Sequence, residues 1–422
     1  MIFFTSILSN YLDKSLALAE SVLKRHQNCE FRIYVFDYES SFLPEEAELK
    51  KYLRLGKNSN LPTFHPAKQS CPKHLYLERR FNIIECCTAV KPFIFLELLH
   101  DNQTVVYLDP DTFVYAELDL LAAEESADQW DLLLIPHVLQ PANRSSLISE
   151  RLFSNFGVFN LGFLAAKSTP DSLKFLEWWA ITCGLFGVAR PTAGLYVDQK
   201  IIDFAPAFID NLKIIRHPGW NVAWWNIFCD GRKLREDYMI EFDGKISKLV
   251  FMHFSNLDVG KNNLFVARPL KHLLQKEHHQ KARLEQNPAY FKLLGEYKQR
   301  TAEISNSFYM GSNISINGSK RFRLSQRLLD ESFRGALQSS RLHEWTKLTN
   351  KIGSSASNTI KLLQAIKAYL AFSGKGCFST SNNLKRSLEH FEYSFLNPSL
   401  WNFDHASLKN IDNLFINKRR SD

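Results

Sequence analysis

The first 36 residues constrain the fold more than any other part of the chain. Residues 2–8 form an apolar run of strand length. Residues 12–24 carry Leu16, Ala19, Val22 and Leu23 at helical spacing, and residues 31–36 form a second apolar run that stops at Asp37. Strand, helix and strand in so short a span make a βαβ unit, which implies a parallel sheet. Ligands of such sheets bind beyond the carboxyl ends of the strands, so residues 5–11 and Asp37 fall at the mouth of a site.

The same pattern continues to about residue 265. Apolar runs at 105–108, 130–136, 157–166, 213–216 and 248–255 read as further strands. Residues 77–99, broken at Lys91-Pro92, read as two helices, with Pro92 in the first turn of the second. Residues 171–183 and 193–204 read as two more, the last carrying Asp198 and Gln199. Residues 40–75 show weak periodicity and read as a variable excursion, and residues 137–153 as a loop long enough to cover a site. Beyond 265 the strand runs fade into mixed segments separated by Ser/Asn/Gly-rich pieces. The expected division is therefore an α/β domain over 1–265 and a mainly helical region over 266–422.

Composition narrows the partners. With 422 residues, 45% hydrophobic and 33 Phe, a large core is available and global disorder is excluded. A net charge of +8 favours anionic partners such as nucleotides, phosphates or lipid headgroups. No zinc-finger, RNP-type or helix-turn-helix signature accompanies it, so no nucleic-acid partner is expected. The seven cysteines contain no C-x-x-C pair, which suggests free thiols in a reducing compartment. The apolar N-terminus has no basic leader, and no run reaches the length of a membrane span. The expectation is a cytoplasmic protein with, at most, a peripheral contact on the inner face of a membrane.

One strand ends in chemistry. Val105-Val106-Tyr107-Leu108 runs into Asp109-Pro110-Asp111, and apolar residues resume at once. Pro110 stiffens the turn, and two carboxylates aimed from one strand end are costly to leave unpaired. A hard divalent cation that also engages phosphates is the simplest partner. Alone, such a pair is also the signature of a polar turn. Elsewhere, Asn160 is an amide among apolar neighbours and His253 lies near the end of the last strand; each reads as a structural residue or as a ligand contact. The aromatic stretch Trp220–Trp225 reads as core or as a face on which a sugar stacks.

Taken in order, these pieces resemble a known group. Phe4-Thr5 with Asn10-Tyr11, Lys91-Pro92, Tyr107-Leu108-Asp109-Pro110-Asp111, Phe159-Asn160-Leu161-Gly162, Asp198-Gln199, Trp220-Asn221 and His253-Phe254 follow the order of motifs in GT-A glycosyltransferases of glycosyltransferase family 8. That family includes bacterial lipopolysaccharide galactosyl- and glucosyltransferases and the glycogenins. The resemblance implies a Rossmann-like mixed sheet flanked by helices, a nucleotide-sugar donor with a glycan or lipid-linked saccharide acceptor, and Mn²⁺ or Mg²⁺ as cofactor. It further implies that Asp109, Asp111 and His253 hold the metal, and that Thr5, Asn10 and Tyr11 bind the base and ribose. Lys91 would lie by the donor phosphates and sugar, Asn160 would touch the donor sugar, and Asp198 and Gln199 would flank the anomeric carbon. Two departures stand out. No acidic residue precedes Asn10, and Ser255-Asn256 follow His253-Phe254 where the family has Gly and then Lys, so that Lys261 is the nearest cation for the diphosphate.

The implied chemistry is the transfer of a hexose from a nucleotide sugar, the metal screening the leaving diphosphate. The family implies retention of configuration; inversion with Asp198 as base is the alternative. A haloacid dehalogenase-type phosphatase built on Asp109 is disfavoured by Phe113 at the fifth position of its motif. A non-catalytic carbohydrate-binding protein on the same fold is the other rival, and Mn²⁺-dependent hydrolysis of nucleotide sugars separates the two.

Overall fold

The computed structural model describes residues 1–308, with the exception of 27, 39, 41–42, 57–58, 72–73, 75–76, 78–80, 100–103, 120–129, 142–149, 192–193 and 256–286. The chain divides into two compact units, Met1–Cys71 with Cys87–Ile314, and Pro72–Cys86 with Ser315–Asp422. In the second, the described residues include a reciprocal turn in which the Glu85 carboxylate accepts from Asn82 N–H (2.8 Å) and Asn82 Oδ1 from Glu85 N–H (3.0 Å). Everything below concerns the first unit.

Its centre is a seven-stranded mixed sheet. The strands are β1 (Ile2–Ile7), β2 (Glu30–Val35), β3 (Thr63–Pro66), β4 (Thr104–Leu108), β6 (Leu132–Leu134), β7 (Phe163–Lys167) and β10 (Leu212–Ile214). They lie in the order β10-β6-β7-β4-β1-β2-β3. β1 pairs in parallel with β2 and β4, so the predicted βαβ unit is present, with helix Leu12–Leu23 as its crossover. β7 runs antiparallel to both β4 and β6. β1 is buried along its whole length, as a strand covered on both faces must be. The edge strand β3 lies inside the excursion of residues 40–75, where four residues, one of them proline, give no alternation to read.

A second, two-stranded layer carries part of the site. β5 (Thr112–Val114) pairs antiparallel with β14 (Phe251–His253), with His253 opposite Thr112. The sequence reading put the final strand in the main sheet; it belongs to this ribbon instead. Helix Pro288–Ser307 then returns to the N-terminal half. Ile304 joins the core formed by Leu16, Ala19, Val22 and Leu23 on helix Leu12–Leu23. The unit that holds the sheet thus extends past residue 265, and residues 266–286 and 309–422 of the expected helical region lie outside the described residues. No helix among the described residues is long and apolar enough to cross a membrane.

Candidate metal and donor site

Asp109 follows directly on β4, and its backbone is tied by three hydrogen bonds to two residues. Its N–H donates to Gly162 O at 3.0 Å, and its carbonyl accepts both the N–H (3.0 Å) and the hydroxyl (2.7 Å) of Thr112. The carbonyl of Asp111 accepts from Phe254 N–H at 2.8 Å. Residues 109–111 therefore form the turn that Pro110 implied, clamped between Gly162, just before β7, and the ribbon. The β5–β14 register then sets His253 beside the turn. Its Nε2 lies 3.1 Å from Asp111 Oδ1 and 3.6 Å from Asp109 Oδ2. One ligand atom from each of Asp109, Asp111 and His253 falls within 4.8 Å of the others.

Lys91, first in helix Lys91–Leu98, approaches from the other side. Its Nζ is 3.3 Å from Asp109 Oδ1 and 3.0 Å from Asp198 Oδ2, and it stands 4.2 Å from the centroid of the Tyr107 ring. The Tyr107 hydroxyl donates to Asp109 Oδ1 at 2.5 Å. Burial pulls the Lys91 pKa down, but Asp109 and Asp198 outweigh it and raise the group above its ordinary value, so it is an ammonium. Burial also lowers His253, again outweighed, chiefly by Asp111, and the ring is held above its usual range. Three carboxylates thus face one permanent cation and a titratable ring. A divalent ion with a neutral imidazole would balance them, and two carboxylates with one imidazole suit Mn²⁺ or Mg²⁺. The donor set fits the metal that the resemblance implies.

Asp198 and Gln199 do not lie on a helix. The short strand Leu195–Tyr196 pairs with Ala189–Arg190, Val197 takes a left-handed φ of 44°, and a 3₁₀ turn begins only at Ile201. Tertiary partners override the apolar spacing here: Trp179 Nε1 donates to the Asp198 carbonyl at 3.2 Å while Lys91 holds its carboxylate. The Gln199 amide is engaged at both its oxygen and its nitrogen. Its Oε1 accepts from Leu161 N–H at 3.0 Å and its Nε2 donates to Phe156 O at 3.0 Å. Asn160 was expected within a strand, but β7 begins only at Phe163. Asn160 sits in a turn whose Oδ1 accepts from Gly162 N–H at 2.9 Å, an Asx-type bond that replaces the ladder. Gly162 is required there, since a Cβ would fall 2.5 Å from His253 Nδ1 and 2.7 Å from Asn160 Oδ1.

Of the residues that the resemblance assigns to the base and ribose, Thr5 lies in β1 and Asn10 and Tyr11 in the 3₁₀ turn Ser9–Tyr11 that follows it. Asp37, just past β2, clamps this loop by accepting the Ser9 N–H and hydroxyl, both at 2.7 Å. Thr5 Oγ1 and Asn10 Oδ1 are buried with no hydrogen-bond partner among the described residues. Buried polar atoms without partners call for an explanation, and a ligand is one. Tyr11 is 38% exposed with Lys14 Nζ 4.2 Å from its ring centroid, and burial, then Asp111 and Asp13, push its hydroxyl up to about 12. Lys261 lies outside the described residues.

Sequence reasoning missed Tyr107 and His137. His137 follows Pro136 at the end of an apolar run, which was the available signal. Its ring, buried, lies 3.1 Å from Asn160 Nδ2. Of the aromatic stretch, Trp220 is core, packed edge-on to Phe163 and Phe251. Trp225 stands edge-to-face to His253 with centroids 5.4 Å apart.

No family model matches the chain. Two curated relatives, both from Bacillus subtilis (strain 168), carry no assigned activity. The uncharacterized protein YfnF is 29% identical over 182 residues, covering 42% of this chain and 59% of the relative. The uncharacterized protein YfnD is 24% identical over 181 residues, covering 40% and 53%. The matches thus span little more than half the length of either relative. Solved structures similar to this chain include glycosyltransferases. The galactosyltransferase LgtC in complex with donor and acceptor sugar analogues is 15% identical, with 64% of this chain and 94% of that chain covered, at a TM-score of 0.40. GlyE of Streptococcus pneumoniae TIGR4 is 14% identical, with 74% and 65% covered, also at 0.40. Mouse xyloside xylosyltransferase 1 is 13% identical, with 60% and 97% covered, at 0.37. At these scores the functional argument rests on the side chains.

Proposed function

We propose that this chain is a metal-dependent glycosyltransferase that moves a hexose from a nucleotide sugar, UDP-linked by preference, to a glycan or lipid-linked saccharide. The observation that carries the reading is the convergence of Asp109, Asp111 and His253 on one point at the carboxyl end of β4, with Lys91 beside it. A divalent ion there would stabilise the charge that develops on the leaving diphosphate. The chain's own residues supply the rest. Lys91 adds a desolvated positive charge next to Asp109. Thr5 Oγ1 and Asn10 Oδ1 offer unspent hydrogen-bonding capacity at the nucleotide end. Gln199, fixed at both ends of its amide, gives a rigid wall by the sugar.

Retention of configuration is the preferred course. Inversion would ask Asp198 to accept the acceptor's proton, yet its carboxylate is 1% exposed and faces Lys91 at 3.0 Å. The free thiols of Cys29 and Cys183, both buried, suit a reducing cytoplasmic setting. We assign recognition of the acceptor, and any contact with a membrane surface, to the region beyond residue 314. Ending the chain after 314 should keep donor hydrolysis and lose transfer, whereas ending it near 265 would also remove helix Pro288–Ser307 and unfold the unit. The deciding experiment is a panel of nucleotide sugars with Mn²⁺, read as released UDP or GDP. Release only with metal supports the assignment. A folded protein that binds Mn²⁺ but releases no nucleotide from any donor would be a carbohydrate-binding protein instead.

A further inference from the structure

We propose that His137 is a positioning residue: acting through the Asn160 amide, it fixes the tautomer in which His253 faces the metal. The inference rests on the metal reading above and assigns a role to a side chain that would touch neither metal nor sugar.

The logic follows donors and acceptors along one buried row. The Val158 carbonyl only accepts, so His137 Nδ1, 3.3 Å away, carries the proton. His137 Nε2 then has a lone pair, and the Asn160 amide group 3.1 Å away donates to it. This fixes which end of the amide is which. Asn160 Oδ1 is left toward Gly162 N–H, at 2.9 Å, and His253 Nδ1, at 3.2 Å. Because Oδ1 only accepts, His253 must carry a proton on Nδ1. Its Nε2, beside Asp109 and Asp111, is therefore the nitrogen that offers a lone pair to a cation.

The row starts from a backbone carbonyl and admits one consistent arrangement. A proton on His137 Nε2 would confront the Asn160 Nδ2 hydrogens. Turning the amide over would relieve that clash but set Nδ2 against the Gly162 N–H, donor against donor. His137, Asn160 and His253 are 6%, 6% and 4% exposed, so water cannot take over a lost bond. Burial also drives the His137 pKa down to about 4, which keeps the ring a neutral acceptor at physiological pH.

The test is a double-mutant cycle on Mn²⁺ affinity, read by calorimetry on the full chain. His137→Leu and Asn160→Leu should each weaken Mn²⁺ about 10-fold, the usual scale for partners of a metal-bound histidine. The double variant should lose no more than the weaker single variant, because both changes cut the same row. Additive losses would mean that His137 acts elsewhere. Wild-type affinity in a folded His137→Leu would overturn the proposal, whereas a wild-type chain that binds no Mn²⁺ would overturn the metal reading first. Nitrogen-15 spectra of the histidine rings in the Mg²⁺-loaded wild type give a readout that needs no variant. Both His137 and His253 should be protonated at Nδ1, and a proton on His137 Nε2 would end the proposal.

Discussion

Glu20, on helix Leu12–Leu23, and Asp109, at the end of β4, are both carboxylates enclosed by cations, but their surroundings differ in kind. Glu20 is saturated. Its oxygens accept from Lys24 Nζ at 2.9 Å, from Arg54 N–H at 2.7 Å and from the Arg300 guanidinium, which also donates to the Tyr52 carbonyl at 2.9 Å. Its side chain is 3% exposed. Asp109 is 27% exposed and shares two cationic groups, Lys91 and the His253 ring, with two further carboxylates, Asp111 and Asp198. Donors match acceptors in the first cluster, and carboxylates outnumber cations in the second. A closed cluster is a fastening between elements; an open one is a place where a cation belongs.

The largest test of that contrast is at the open cluster. Asp109→Ala or Asp111→Ala should abolish Mn²⁺-dependent UDP binding, a loss beyond the roughly 10–100-fold expected for an outer partner. The melting temperature should hold or rise, because like charges are relieved. Unchanged calorimetric affinity would make this cluster as structural as the other. At the closed cluster, Arg300→Met leaves Glu20 buried without its main partner and should cost about 3–5 kcal/mol in urea unfolding. Mn²⁺ affinity of the folded fraction should not change.

Gly162→Ala is intermediate. Its Cβ would press on His253 Nδ1 and Asn160 Oδ1, so overpacking should cost about 1–3 kcal/mol. Mn²⁺ affinity should fall about 10-fold, a joint effect that no change at Arg300 produces. The smallest effect is acid sensitivity. Burial raises the Glu20 pKa, but Arg300, the Arg54 N–H and Lys24 more than reverse this and hold it below its ordinary 4.5. Its stabilising contribution is therefore complete above pH 4.5 and is lost as pH falls through the lower folded value. Urea midpoints on either side of that pH should fall less steeply in Arg300→Met than in wild type. Parallel slopes would show that Arg300 does not set the Glu20 pKa.

The parallel half of the sheet was legible because apolar runs and helical spacing are local. β1, helix Leu12–Leu23, β2 and β4 fall close to where the pattern put them. The grouping of Asp109, Asp111 and His253 was legible through ordered motifs, and the structure brings the three together. What failed depended on distant partners. Asp198 and Gln199 lie on a turn because Lys91, Trp179 and Leu161 hold them there, which no window around residue 198 records. β3 was hidden by brevity, and His137 by partners at residues 158 and 160, more than 20 positions away along the chain.

The Glu20–Arg300 contact spans 280 residues. Loop-closure entropy makes so distant a contact slow to form, so helix Leu12–Leu23 waits longest for its partner. During synthesis Glu20 emerges early, and its arginine partner appears only after the whole sheet and Asp109, Asp111 and His253 have left the ribosome. The first helix to be made is then among the last to be secured, and an interrupted chain carries in its core a carboxylate that has Lys24 and the Arg54 N–H but lacks its guanidinium partner, a mark by which unfinished copies are less stable than finished ones.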